Sequence, residues 1–434
     1  ALVTLLYDRY EPEIAALSSW IEIHGGVKIP VREIIKGGMI FTAAEAVQEA
    51  AALSPDGAAP WGPKNILARL AEEKQGWNAQ ARQELDALGV PVLSGTASFA
   101  APNLLQVRDG EGGIIASFSE KPVIVASGSV PVFPPGLKPD GRRVIAPRLL
   151  SKLDELPAHI VVIGAGATGC EAAYMFNALG VAVTWIVDQF GILPQFQREA
   201  GEALGGALGR QGVQIAAGQM VKTLERADDK VTAVLMDGER FEADMAFVAV
   251  GRRPDWDGLN LPAAGVEGAA GGPIPMVDGY GRSANPLLYL VGDADGGVMT
   301  ANKAQAQGRI AVRHIAGAAV SPFDSATLIQ PVYTDPQVAQ LGNVSGEAGT
   351  AAVRVSFDKS LKSHILPEGA GFLQLAYGEE DGRILGAVAV GSHAADVLSP
   401  LAAAIKLEGC IDDLAAIYGA YPALTELPFI AARK

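Results

Sequence analysis

The stretch that decides the fold is HIVVIGAGATGCEAAYMFNALGVAVTWIVD, from His159 to Asp188. Ile160 to Ile163 make an apolar run of the length of a buried strand. Gly164, Gly166 and Gly169 follow at G-x-G-x-x-G spacing, then a helical stretch, then a second apolar strand, Val181 to Val187, closing on Asp188. Three glycines alone would say little, but here they sit inside a complete strand–turn–helix–strand unit. Gly164 permits the tight turn, Gly166 lets a pyrophosphate approach the backbone, and Gly169 lets helix and strand pack closely. The helix start offers unpaired N–H groups and a positive dipole end to phosphates. The unit is expected to bind a dinucleotide, and everything before His159 must belong to something else.

The bulk properties narrow the rest. At 434 residues the chain is too long for one core and implies several domains. Hydrophobic residues make up 49%, enough to fill large cores. The net charge of −14 repels phosphate backbones and anionic lipid, so nucleic acid and membrane surfaces are not expected partners. No uninterrupted apolar run reaches the length of a membrane span, and no secretory pattern opens the chain. Two cysteines, Cys170 and Cys410, cannot build a disulfide framework, which suits a reducing, cytoplasmic setting.

Reading outward gives four zones. Residues 1 to about 120 mix helical patterns, Thr42 to Ala52 and Lys64 to Leu88, with a β segment from Val90 to Phe99. Arg108 to Gly113 reads as a hairpin turn, and PVIVASGSVPVFPP, Pro122 to Pro135, as a buried strand with a proline-rich exit. After the dinucleotide unit, Lys230 to Asp255 alternates like a β-meander. A third zone holds the buried strand in PLLYLVGDADGG, Pro286 to Gly297, and a helix from Ala301 to Ala316. The fourth has strands at Ala351 to Ser356, Gly371 to Tyr377 and Arg383 to Val390, then helices at Ala394 to Leu407 and Ile411 to Ile417.

The order of motifs resembles the flavoprotein disulfide reductase family, from about residue 64 onward. Six segments carry the resemblance: VASGS (Val125 to Ser129), GAGATGCE (Gly164 to Glu171), DGERFEADMAFVAVGRRP (Asp237 to Pro254), LVGDADGGVMTANKAQAQGRIA (Leu290 to Ala311), YTDPQVAQLG (Tyr333 to Gly342) and RILGAVAVG (Arg383 to Gly391). It implies an α/β fold with two Rossmann-like dinucleotide-binding domains, for FAD and NAD, and a C-terminal α+β dimerisation domain. The expected boundaries are 1–145 and 266–323 for the two parts of the FAD domain, 146–265 for the NAD(P) domain and 324–434 for the dimerisation domain. A homodimer is expected.

The resemblance also places residues. Asp293, after Gly292, would accept hydrogen bonds from a ribityl or ribose hydroxyl, although aspartate at such a turn also caps helices. Ala301 would open a helix whose dipole stabilises negative charge on the flavin. Ser127 and Gly128 would bring backbone close to the flavin, Ala97 would lie by the adenine, and Gly251 would belong to the NAD site with Gly164, Gly166 and Gly169. Glu171 matches the acid that faces the isoalloxazine and pairs with a lysine in the family; that lysine is not identifiable here. Asp188 stands where NADP users place an arginine, and Pro194 where they often place a second. A carboxylate at 188 would repel a 2′-phosphate, so NADH is favoured over NADPH; Val187 is the alternative position for the family's acid.

The departures matter as much. Disulfide reduction needs a C-x-x-x-x-C pair beside the flavin, one thiolate to attack and one to face the ring. This chain has none. The family's C-terminal H-P-x-x-x-E appears as YPALTE, with Tyr421 in place of histidine and Glu426 retained. A phenol with a pKa near 10 is a poor proton shuttle at neutral pH. Family members also open with a G-x-G-x-x-G unit for FAD, roughly 30 residues long, and none precedes residue 100. Ala1-Leu2-Val3 reads as the tail of its second strand, which favours a chain beginning beyond that unit over one that binds FAD weakly or not at all. Residues 4–60 lack clear similarity; TLLYDRYEPEIAALSSWIEIHG, from Thr4, is apolar and aromatic enough for a helix that caps the flavin side, although packing is the favoured role.

The expected function is an FAD-dependent NAD(P)H oxidoreductase that passes hydride from NADH to flavin and on to a small-molecule or protein acceptor without a redox disulfide. Glu171, Glu426 and Tyr421 are the candidate catalytic residues. The alternatives are a non-catalytic scaffold or regulatory subunit that keeps the fold, and an enzyme whose partner supplies the thiols.

Overall fold

A computed structural model describes residues 3–5, 79–80, 82–153, 155–267, 274–366 and 370–434. The helix expected over Thr42–Ala52 lies outside the described residues, as does the one expected from Thr4 onward apart from Thr4 and Leu5, which are strand, and most of Lys64–Leu88, whose last turns, 82–87, are helical. The described chain divides into two units, one holding the described residues of 1–37, 68–132 and 252–324, the other those of 133–251 and 325–434.

The second unit contains the dinucleotide motif. The strand His159–Ile163 lies at the centre of a five-stranded parallel sheet, flanked by Ala182–Val187 and Met245–Val248, with Gln214–Ala217 and Val144–Ile145 at the edges. A parallel sheet is covered on both faces, which is why His159–Ile163 and Ala182–Val187 read as continuous apolar runs rather than alternating ones. On one face the helix Ala167–Ala178 sets Phe176 edge-on to Phe247, ring centres 6.0 Å apart. On the other, Val161 and Ile163 pack with Leu224, Val231, Ala233 and Leu235 of an antiparallel meander, Val221–Arg226, Val231–Leu235 and Arg240–Ala243.

The same unit carries the C-terminal domain. Its five antiparallel strands run in the order Gln330–Val332, Val338–Gly342, Ile384–Val390, Phe372–Gly378, Thr350–Ser356. Helices Ala394–Lys406 and Leu427–Ala432 close over a core that includes Val397, Leu398, Leu401 and Leu427. The three strands read from the sequence are present to within a residue at each end. Val338–Gly342, hidden in the YTDPQVAQLG segment, was not read as a strand.

In the first unit, Val123–Val125 pairs in parallel with Leu288–Leu290. On its other side Val3–Leu5 runs antiparallel to it. Thr96–Ala101, Leu104–Arg108 and Ile114–Ser119 form an antiparallel sheet whose second turn is the RDGEGG hairpin. Ser129–Pro131 forms a ribbon with Arg252–Pro254, and the helix Ala301–Ile315 follows a short turn at Gly292–Asp295.

Candidate cofactor sites

Of the three fingerprint glycines, two answer to the protein itself. Gly164 has φ +106°, and a Cβ there would lie 2.3 Å from the Ala249 carbonyl oxygen. A Cβ at Gly169 would lie 2.0 Å from the carbonyl oxygen of Gly164, so the helix can reach the turn only with glycine there. Gly166 is different: it is exposed, and a Cβ there would meet nothing within 4 Å. Packing places no demand for glycine at 166, whereas a pyrophosphate over the backbone does. Gly251 is also exposed with open space around it, but its φ of +140° calls for glycine on backbone grounds alone. The turn is pinned from behind by Trp185, wholly buried, whose indole N–H donates to the Gly164 carbonyl at 2.9 Å.

Asp188 follows the last residue of Ala182–Val187, two positions after Ile186, whose carbonyl accepts the N–H of Gly164. One carboxylate oxygen of Asp188 accepts the N–H of Phe190 at 2.9 Å, the local turn role that aspartate favours. Val187 is buried, so Asp188 is the side chain at this strand end with a carboxylate partly open to solvent.

Glu171 lies in the first turn and a half of the same helix. Its carboxyl keeps some exposure but is surrounded by protein, and burial raises its pKa to about 8. The N–H of Tyr333 donates to it at 3.1 Å and offsets a part of that. The Tyr333 phenol is raised in turn, by its own burial first and then by the Glu171 charge. Cys170 next door is fully buried and its thiol is pushed well above the ordinary range by that burial, with Glu171 adding to it. It donates to the Ala165 carbonyl and behaves as a small core residue.

The residues expected around FAD fall in the first unit. Ser129 Oγ donates to a carboxylate oxygen of Asp293 at 2.5 Å, and Arg252 Nε donates to that Oγ at 2.7 Å. Asp293 is 7% exposed and Ser129 1%. Gly128 has φ +75° and Gly292 +63°. Ala301 is the first residue of its helix, as expected. Ala97 is fully buried among Phe99, Leu105 and Val107, where packing within the unit accounts for it.

Whether the chain suits FAD can be tested on its buried polar atoms. Among the described residues the hydroxyls of Ser127 and Thr300 are buried with no hydrogen-bond partner, and Thr300 stands at the N-cap of the helix that Ala301 begins. Leaving such a group unpaired costs about 1–3 kcal/mol, so polar atoms of a bound group are what these positions fit. Both lie in the segments, VASGS and GGVMTANKAQ, that the resemblance assigns to the flavin.

The structure gives the two C-terminal candidates different surroundings. Tyr421 is 71% exposed. Glu426 accepts a hydrogen bond from the buried Ser360 hydroxyl at 2.8 Å, a local structural role. Cys410 caps the short helix Ile411–Ala415 together with Asp413.

Comparison with known proteins matches this architecture. Residues 42–308 match the family described as pyridine nucleotide-disulphide oxidoreductase and residues 329–431 its dimerisation domain, so the similarity begins upstream of residue 64. The chain is 29% identical over 379 residues to an NAD(P)H dehydrogenase (quinone) of Mycobacterium tuberculosis, covering 85% of this chain and 77% of the relative. It is 31% identical over 346 residues to a dihydrolipoyl dehydrogenase of Chlorobaculum tepidum, covering 78% and 73%. The crystal structure of LpdA from Mycobacterium tuberculosis superposes with a TM-score of 0.89 at 25% identity, over 98% of this chain and 97% of that one. No described helix is long and apolar enough to cross a membrane. The chain belongs to the pyridine nucleotide-disulphide oxidoreductase family, the flavoprotein disulfide reductases, and is an FAD-dependent pyridine nucleotide oxidoreductase.

Proposed function

We propose that the protein oxidises NADH and delivers the electrons to an acceptor of the quinone or dye class, with no redox disulfide in between. The observation that carries this reading is the fate of the two cysteines. Cys170 is sealed in a helix with its thiol held protonated by burial, and Cys410 serves a helix cap. A thiol kept protonated is a poor nucleophile. The quinone activity in the name of the Mycobacterium tuberculosis relative fits the same acceptor class.

Bound FAD would supply the two-electron chemistry, accepting hydride from the nicotinamide and passing electrons onward. Ser127, Gly128, Gly292, Asp293 and Ala301 would hold it, within a domain made of residues 1–145 and 266–323. Gly164, Gly166, Gly169 and Gly251 would cradle NADH in residues 146–265, with Asp188 selecting against a 2′-phosphate. Glu171 stays protonated at neutral pH and holds a proton in the helix that follows the NADH turn. Such a group suits acceptor chemistry that consumes protons as well as electrons, a task that Tyr421 is poorly equipped to perform. Residues 324–434 would pair two copies into a homodimer.

Steady-state assays test the reading. NADH should drive reduction of a water-soluble benzoquinone, and the same enzyme should leave lipoamide and glutathione disulfide unreduced. Turnover of either disulfide at a comparable rate would overturn it.

A further inference from the structure

Lys303 is the third residue of the helix Ala301–Ile315 and is 5% exposed. A buried cation is costly, and near a helix N-terminus the dipole opposes it as well. Three acceptors offset that cost. Lys303 Nζ donates to the carbonyls of Gly292, at 3.2 Å, and Gly296, and to a carboxylate oxygen of Asp295. An ammonium has three protons, so these partners leave none for a ligand. The other Asp295 oxygen accepts from the Gln307 amide, one turn further along the helix, and Gln307 Oε1 accepts the N–H of Gly292 at 2.8 Å.

Both polar atoms of Gly292 are therefore held by side chains of the helix. The turn is also pressed onto it: a Cβ on Gly292 would lie 2.7 Å from the Ala304 Cβ. The residue this arrangement fixes is Asp293, whose carboxylate accepts a hydrogen bond from Ser129.

We infer that Lys303 and Gln307 are positioning residues for the flavin: by clamping Gly292 and Asp295 to the helix they fix the direction in which Asp293 presents its carboxylate. The inference rests on the reading that Gly292 and Asp293 hold FAD, and goes beyond it by assigning the order of that site to two residues that touch no ligand. Lys303 and Asp295 form a buried ion pair within the turn. Removing the lysine alone leaves a second, uncompensated carboxylate within it.

The test uses the holoenzyme and two readouts besides turnover: the rate of FAD loss on dilution, followed by the rise of flavin fluorescence, and the visible absorption spectrum of the bound flavin. Lys303→Met should speed FAD loss at least tenfold and shift the flavin bands. Gln307→Leu, which leaves no unpaired charge, should do the same to a smaller degree. The double variant Lys303→Met/Asp295→Asn should recover part of the loss. Val397→Ala, in the C-terminal core, serves as the control for general destabilisation and should lower Tm with both flavin readouts unchanged. If Gln307→Leu and the double variant release FAD at the parent rate with an unshifted spectrum, the inference is wrong, whether or not Lys303→Met folds. If the parent chain itself binds no FAD, the failure lies in the flavin reading instead.

Discussion

The backbone N–H of Tyr333 donates to the carboxyl of Glu171 across 3.1 Å, tying the helix of the nucleotide motif to the segment that follows the strand Gln330–Val332. The two residues are 162 apart in sequence, and their contact encloses a carboxyl that burial holds at a pKa of about 8.

That pKa makes stability depend on pH in a defined direction. Between pH 4.5 and about 8 the folded chain keeps a proton on Glu171 that the unfolded chain has released. Stability therefore falls as pH rises through this window, by about 1.4 kcal/mol per pH unit for this group alone. Glu171→Gln, neutral in both states, should be flatter over the same range. Urea midpoints at pH 5.5 and 8.5 for both chains check this; identical slopes would place the charge of Glu171 in contact with water.

The fingerprint glycines should separate into two kinds. Gly169→Ala drives a methyl into the Gly164 carbonyl, and overpacking of this sort costs about 1–3 kcal/mol, visible as a lower Tm. Gly166→Ala has open space and should leave Tm unchanged while raising the KM for NADH about tenfold. A Gly166→Ala chain with unaltered NADH kinetics would remove the pyrophosphate from that turn.

Asp188→Asn keeps an acceptor for the Phe190 N–H but removes the charge. The ratio of kcat/KM for NADPH to that for NADH should rise by about tenfold, as expected for loss of one repulsive contact. An unchanged ratio would reduce Asp188 to a turn residue.

Much of this was legible in the sequence because the signals were local. The G-x-G-x-x-G turn, the Gly292–Asp293 pair and the apolar parallel strands each lie within one short segment. The helix Arg198–Arg210 was not read, since Gly201, Gly205, Gly206 and Gly209 suppress helix propensity. The structure shows what two of them do: a Cβ on Gly201 would lie 2.0 Å from the Ile192 carbonyl oxygen, and one on Gly205 would lie 2.5 Å from the Ile192 Cδ1. Glycine there permits close packing instead of ending a helix. The Glu171–Tyr333, Ser129–Asp293 and Arg252–Ser129 contacts were equally invisible, because each joins residues more than 120 positions apart through tertiary folding. Lys303 looked like any lysine on an amphipathic helix until its burial was known.

The central claim, electron transfer without sulfur, is tested most directly by counting electrons. Anaerobic titration of the holoenzyme with NADH should bleach the flavin fully at one equivalent per bound FAD, since no second two-electron store exists in this chain. Uptake of two equivalents per FAD, with the first leaving the flavin oxidised, would reveal a reducible disulfide and contradict the account.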